Sequence, residues 1–242
     1  MGGIYRSYSG VSGDDGQVIT KVPVDVLLAL PRSAGSGFYD NFVGAGCPTD
    51  SSAATSVAGW VDDYVANAGT IVPAAVEGGG IVLTPDTAEN DGMQIQKQPS
   101  MVLDTDTRCV FGAKVTLADV LAQDVFIGLA TADADLAQSK PNDHVGFYVA
   151  DGAGTIFYSI SDGGTATAAT TGSTAVNATS IWLECFMDGE KSVEFYIDGD
   201  LVIDAAVTNL PEDTVMGFGI ATVNGDSSSN TLTVSAAYAY NW

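Results

Sequence analysis

The sequence is poor in positive charge. Of 242 residues only 8 are Lys or Arg, against 30 Asp or Glu, which gives a formal net charge of −22 at pH 7 and a pI near 4.1. Nucleic-acid affinity comes largely from Lys and Arg displacing counterions condensed on phosphates, so a nucleic-acid partner is excluded, and an anionic membrane surface with it. Histidine is scarcer still, with His144 the one imidazole. That excludes a two-His metal site and leaves His144 alone for any Ser/His/Asp or Cys/His arrangement. Its setting, Asn142-Asp143-His144-Val145-Gly146, reads as a loop running into a strand and gives it a surface or structural role. Three Cys without Cys-x-x-Cys spacing argue against a zinc ribbon and a disulfide framework. Cys109 alternates with Phe111, and Cys185 with Leu183 and Met187, as small buried apolar residues do. Cys47, beside Pro48, lies in a loop.

Long apolar runs are missing as well. The most apolar stretch, Val22 to Leu30, is too short to span a bilayer and contains Pro23 and Asp25. Met1-Gly2-Gly3-Ile4-Tyr5-Arg6 lacks a basic region leading into an apolar core, and Arg6 stands where a myristoylation signal needs Ser or Thr. A soluble, unprocessed chain is expected. Core material, in contrast, is plentiful: 46% of residues are hydrophobic and only 16% charged, so the acidity belongs to a folded chain, large enough for one all-β domain or two small ones.

Residues 1–37 read as an extended N-terminal arm. Gly, Ser and Asp dominate its start, and then Val22, Val24, Val26, Leu28 and Leu30 place apolar side chains at every second position, the period of a strand. This segment either completes the sheet of its own body or docks on another chain. Three basic and three acidic residues make the arm neutral, so the whole −22 belongs to residues 38–242.

From Phe38 onward short strands alternate with Gly, Asp, Asn and Thr turns, the pattern of an all-β sandwich. Predicted strands are Thr70 to Val72, Gly80 to Leu83, Gln94 to Lys97, Arg108 to Leu117, Val125 to Ala130 and Val145 to Val149, followed by Thr155 to Ile160, Ile181 to Met187, Ser192 to Ile197, Leu201 to Ala205, Val215 to Thr222 and Thr231 to Tyr240. Leu117 to Gln123 is the best candidate for a helical turn, and Gly163 to Ser180, rich in Thr, Ala and Gly, reads as a long loop. Asp198-Gly199 between two alternating runs predicts a type I′ hairpin. In the last strand, Leu232, Val234, Ala236, Tyr238, Tyr240 and Trp242 share one face by simple alternation, and the strand is expected to pair with an early one.

The order of elements resembles the concanavalin A-like lectin/glucanase jelly roll, which includes laminin-G-like domains. The residues that carry the resemblance are Phe38-Tyr39-Asp40-Asn41-Phe42, Trp60, Cys109 to Val115, Val125 to Ala130, Val145-Gly146-Phe147, Trp182 to Phe186, the hairpin Val193 to Gly199 and the final strand to Trp242. Within that superfamily the chain is similar to laminin-G-like domains of tailed-phage capsid decoration or cement proteins. The resemblance implies an antiparallel two-sheet sandwich over residues 38–242 and a non-enzymatic protein on the virion, at the capsid exterior. Its partners would be the major capsid protein and itself, as a homotrimer or other homo-oligomer, with attachment through Val22, Val24, Val26, Leu28 and Leu30.

Three chemistries compete with that expectation. Glucanases of this fold need acidic residues at alternating strand positions; in Glu184, Asp188 and Glu190 the pattern is broken by Phe186, and Glu184 reads as a solvent-facing strand residue. Asp104-Thr105-Asp106, Asp133-Ala134-Asp135 and Asp198-Gly199-Asp200 lack the spacing of a defined calcium loop and read as solvated turns, so no cofactor is expected, calcium being the sole candidate. Sugar binding, as a lectin-like module for host glycans, needs an exposed aromatic ring beside amides or carboxylates. Trp60, Tyr64, Tyr148 and Tyr196 are its candidate contacts, with Asp62, Asp63 and Asn142 near some of them in sequence.

Overall fold

The computed structural model describes residues 37–42, 56–57, 59–65, 69–76, 79–97, 100–104, 106–133, 135–138, 140–189, 191–206 and 208–241. Its strands are β1 (Gly37–Asp40), β2 (Ser56–Val57), β3 (Trp60–Val65), β4 (Thr70–Pro73), β5 (Ile81–Thr84), β6 (Gly92–Lys97), β7 (Met101–Val102), β8 (Arg108–Leu117) and β9 (Gln123–Ala130). The remainder are β10 (His144–Val149), β11 (Thr155–Asp162), β12 (Thr165–Thr174), β13 (Ser180–Asp188), β14 (Val193–Ile197), β15 (Asp200–Ala205), β16 (Val215–Asn224) and β17 (Leu232–Asn241). One antiparallel sheet runs β15-β14-β13-β8-β17-β5-β4 with β1 also on β17, and the other runs β12-β11-β10-β9-β16-β6-β3-β2 with β7 on β16. Together they form a sandwich of the concanavalin A-like jelly-roll type.

The alternation that predicted the strands also fixes their inner faces. Phe111, Cys109 and Val115 of β8, Cys185, Leu183 and Met187 of β13, and Phe147 and Val145 of β10 all join one buried cluster. Phe147 of the second sheet meets Phe195 of the first edge to face, with ring centroids 5.0 Å apart, so this pair ties the layers together. Burial pushes both thiols, Cys109 and Cys185, well above their ordinary range, which removes them from thiolate chemistry.

The predicted hairpin forms as expected: Asp198 (φ 48°) and Gly199 (φ 91°) both lie in the left-handed region, as a type I′ turn requires. Asp198 Oδ1 also accepts from Trp182 N at 2.8 Å, fastening the turn to the neighbouring strand.

Four sequence readings are corrected. Residues 165–174 are a strand, β12, which pairs with β11 across the turn Gly163-Gly164. It is an edge strand with one face largely exposed, so Thr and Ala suffice and no apolar contrast marks it. Residues 117–123 do not make a helix; Asp119 caps a single turn by accepting from Leu121 N. The closing strand does not keep one face. A bulge at Ser235 shifts its register, so Leu232 and Val234 point into the core together with Ala237 and Ala239, while Ala236, Tyr238 and Tyr240 turn outward. Finally, Glu184 is not solvent-facing. It lies on the outward side of β13 but is only 1% exposed, with the Tyr238 hydroxyl donating to its carboxylate.

Candidate functional site

The second sheet turns a polar face outward. Because Ile95 points into the core, Gln94 and Gln96 of β6 point away from it, and both are nevertheless buried. They hold the segment between β9 and β10 against the sheet. Gln94 Nε2 donates to Asp133 O at 2.6 Å, and its Oε1 accepts from Leu136 N at 3.0 Å. Gln96 Nε2 donates to Ala130 O at 3.0 Å and to Thr131 O at 3.2 Å. Leu136 can come down onto the strands because residue 219 is glycine; a Cβ there would lie 2.6 Å from Leu136 Cδ1. At the far end of the segment His144 is buried, with Nδ1 2.7 Å from Pro141 O and Nε2 2.8 Å from Ser159 Oγ. Desolvation, more than any neighbouring charge, lowers its pKa, so the ring is held neutral.

Beside this covered area lies a half-buried aromatic ledge. Tyr148 of β10 and Phe157 of β11 are register partners on the outward side, and their rings stack 4.9 Å apart at 15°. Both are half-buried. Lys140 Nζ lies 4.4 Å from the Tyr148 ring centroid, a cation–π distance. Lys140 is held at φ 45°, a left-handed conformation that a non-glycine residue adopts at a cost and that clusters at functional sites. Asp124 stands on the next strand. It accepts from Asp151 N at 2.9 Å, and burial, followed by the Asp151 charge, raises its pKa against the lowering effect of its hydrogen bonds and of Lys140. Gln138 hydrogen-bonds Asp124 and also donates to Asn90 Oδ1 at 2.5 Å. An aromatic surface thus meets a cation, a carboxylate and an amide at one edge, the combination that stacks on a sugar ring and hydrogen-bonds its hydroxyls.

The four predicted sugar contacts are not brought together. Trp60 is a correction: it is fully buried between Phe38, Phe42 and Phe218, and its indole N–H donates to Asp40 Oδ2 at 2.9 Å, so it has no surface for a ligand. Tyr196 lies on the other sheet, buried, with its hydroxyl on Glu194. Tyr64 belongs to β3. Tyr148 alone stands on the ledge. Sequence reading missed Phe157, Lys140, Asp124 and the two glutamines. Gln94-Ile95-Gln96 carried a signal, since it puts two amides on one side of a strand.

The attachment residues Val22, Val24, Val26, Leu28 and Leu30, and Cys47, lie outside the described residues. Asp133 and Asp135 cap their own turn through Asp135 N and Gln138 N. Among the described residues no three His, Cys, Asp or Glu side chains group as metal ligands.

No protein-family model matches the sequence, and no curated protein matches it. Solved structures do share its shape. A protein of unknown function, SO2946 from Shewanella oneidensis MR-1, is 14% identical with a TM-score of 0.59, over 86% of this chain and 87% of that one. The carbohydrate recognition domain of Emp46p in its potassium-bound form is 8% identical, TM-score 0.54, over 75% and 88%. A structure from work on endo-acting O-glycanases with which human gut microbiota initiate mucin breakdown is 15% identical, TM-score 0.53, over 84% and 97%. At such identities the shared property is the fold: this chain is an antiparallel two-sheet sandwich of the concanavalin A-like jelly-roll type.

Proposed function

We propose that this protein is a carbohydrate-binding domain that takes a glycan on the Tyr148–Phe157 ledge without catalysis. The observation that carries the reading is the half-buried stack itself, bordered by Lys140, Asp124 and Gln138. A sugar ring laid on the aromatic surface would bury its C–H face there, while the three polar side chains reach its hydroxyls. Two of the solved structures named above come from carbohydrate recognition or glycan breakdown, which supports the reading.

The test is binding to a glycan array, followed by titration of each ligand found. Tyr148→Ala and Phe157→Ala should each abolish binding and leave the melting temperature nearly unchanged; binding retained in both variants sinks the assignment. Release of new reducing ends from a bound glycan, lost in Asp124→Asn, would make the ledge a catalytic site instead.

A further inference from the structure

Four strands end the two sheet orders: β15 and β4 in the first, β12 and β2 in the second. An edge strand offers unpaired N–H and C=O groups to any other chain, and folded proteins blunt such edges with charge, proline or shortness. β2 has two residues, β4 has four and ends on Pro73, and β15 exposes Asp200 and Asp204. β12 is different. It has ten residues, Thr165–Thr174, with neither proline nor charge. It lies in the longest uncharged stretch of the chain, since nothing between Asp162 and Glu184 is charged. Its first half is also regular. Residues 165–170 pair in unbroken order with residues 162 to 157 of β11, and the register shifts only beyond Phe157. The turn Gly163-Gly164 has two residues, both at positive φ (53° and 81°), so Asp162 and Thr165 are its hydrogen-bonded pair. Counting from there, Ala166 and Ala168 turn their main-chain N–H and C=O away from β11 into the open edge, and both residues are exposed. Thr167 lies between them on the core side, its hydroxyl accepting from Asn209 Nδ2 at 2.9 Å.

We propose that β12 is a dimer interface, at which a second copy of this chain pairs antiparallel with the first and joins the two second sheets into one. Ala166 of each copy would stand opposite Ala168 of the other, exchanging both N–H···O bonds in each pair. An antiparallel edge is its own complement, so a two-fold axis closes the assembly and leaves neither β12 edge free. Charge selects the same occupant. The whole −22 belongs to residues 38–242, so two copies approach most easily where neither presents carboxylates, whereas a cationic partner would be drawn to the rest of the surface. Asp162 at the turn, with Asp200 and Asp204 on the neighbouring edge of the first sheet, would still repel their counterparts. The pairing should therefore strengthen with salt. A two-fold axis normal to the sheet keeps both outward faces on one side. The two Tyr148–Phe157 ledges would then lie four strand spacings apart, about 19 Å, across the joined sheet. Bivalent glycan binding, unlike the pairing itself, rests on the function proposed above.

Sedimentation equilibrium of the full-length chain without glycan tests the pairing alone. A reversible monomer to dimer equilibrium is expected, tightening as salt rises from about 50 to about 500 mM. Ala168→Pro removes an N–H that no intrachain bond uses, and by symmetry removes it twice, so the dimer should weaken at least about tenfold. Ala168→Asp, which keeps every N–H but adds a carboxylate close to the axis, should weaken it likewise. Ala168→Ser keeps the N–H and adds no charge, and should stay within about twofold of the unmodified chain. Circular dichroism establishes that each variant keeps its β-sheet signature. A chain that stays monomeric up to about millimolar concentration overturns the proposal. So does a dimer that neither Ala168→Pro nor Ala168→Asp weakens, or one that loosens as salt rises, which would mark an interface of ion pairs.

Discussion

The two sheets share one core but turn unlike faces to the outside. On the first sheet the outer face is aromatic and closed, with Trp182, Phe186 and Tyr238 buried around a buried carboxylate, Glu184. On the second sheet the outer face is rich in amides, which pin one loop down through Gln94 and Gln96 and leave the Tyr148–Phe157 ledge beside it half open. Both inner faces read as the same alternation of Val, Ile, Leu and Phe. The fold therefore follows from the inner faces, while what the molecule does depends on the outer ones, where a single side chain changes what can be covered and what can be reached.

Substitutions at matched positions test this contrast. The largest effect belongs to the closed face: Tyr238→Ala should cost about 3–5 kcal/mol of unfolding free energy, the range for emptying a buried aromatic site. Tyr238→Phe, which keeps the packing but removes the donor to Glu184, should cost about 1.5–3 kcal/mol. Urea denaturation measures both, and equal losses would show that the carboxylate contact, not packing, is what matters there. On the second sheet Gln94→Leu leaves Leu136 N without its acceptor and should cost about 1–3 kcal/mol. Limited proteolysis should then cut between β9 and β10; a loop still resistant would mean that Leu136 packing alone holds it.

A smaller effect comes from pH. Burial lowers the pKa of His144 below its ordinary value near 6.5, so the unfolded chain binds that proton more readily than the folded one. Stability is therefore full above about pH 6.5 and falls as the pH drops from there toward the folded-state pKa. His144→Gln should flatten that slope in thermal melts, and an unchanged slope would assign it to the carboxylates. The smallest change in stability, within about 1 kcal/mol, is expected for Tyr148→Ala at its half-exposed position. The same substitution should cause the complete loss of glycan binding, and this gap between stability and binding is what separates an open face from a closed one.

Reading the sequence worked where a side chain's neighbours along the strand decide its place. Cys109 with Phe111, Cys185 with Leu183, and the Asp198-Gly199 turn are local patterns, and the structure repeats them. It failed where register between distant strands decides. The bulge at Ser235 reverses the sides of Tyr238 and Tyr240, and nothing local announces it, because both Ala236 and Ala237 suit either face. Trp60 looks like a sugar platform until Phe218, far along the chain, closes over it. The ledge itself is half legible in the sequence: Tyr148 is a candidate by residue type, whereas Phe157, Asp124 and Lys140 come from three other segments and meet only in the folded sheet.

The strand that holds the first sheet together is β17, and it is made of the last described residues. It pairs with β8 along one edge and divides its other edge between β5 and β1, so it joins residues 37–40, 81–84 and 108–117 in a single layer. The layer does not exist until β17 has paired with all three of these segments. Until then β8 and β5 each keep an open edge, which is a template for pairing with other chains. Closure at such sequence separation is slow, so these edges stay open late into folding. The acidic body, with its −22 charge, keeps those unfinished chains apart during that interval.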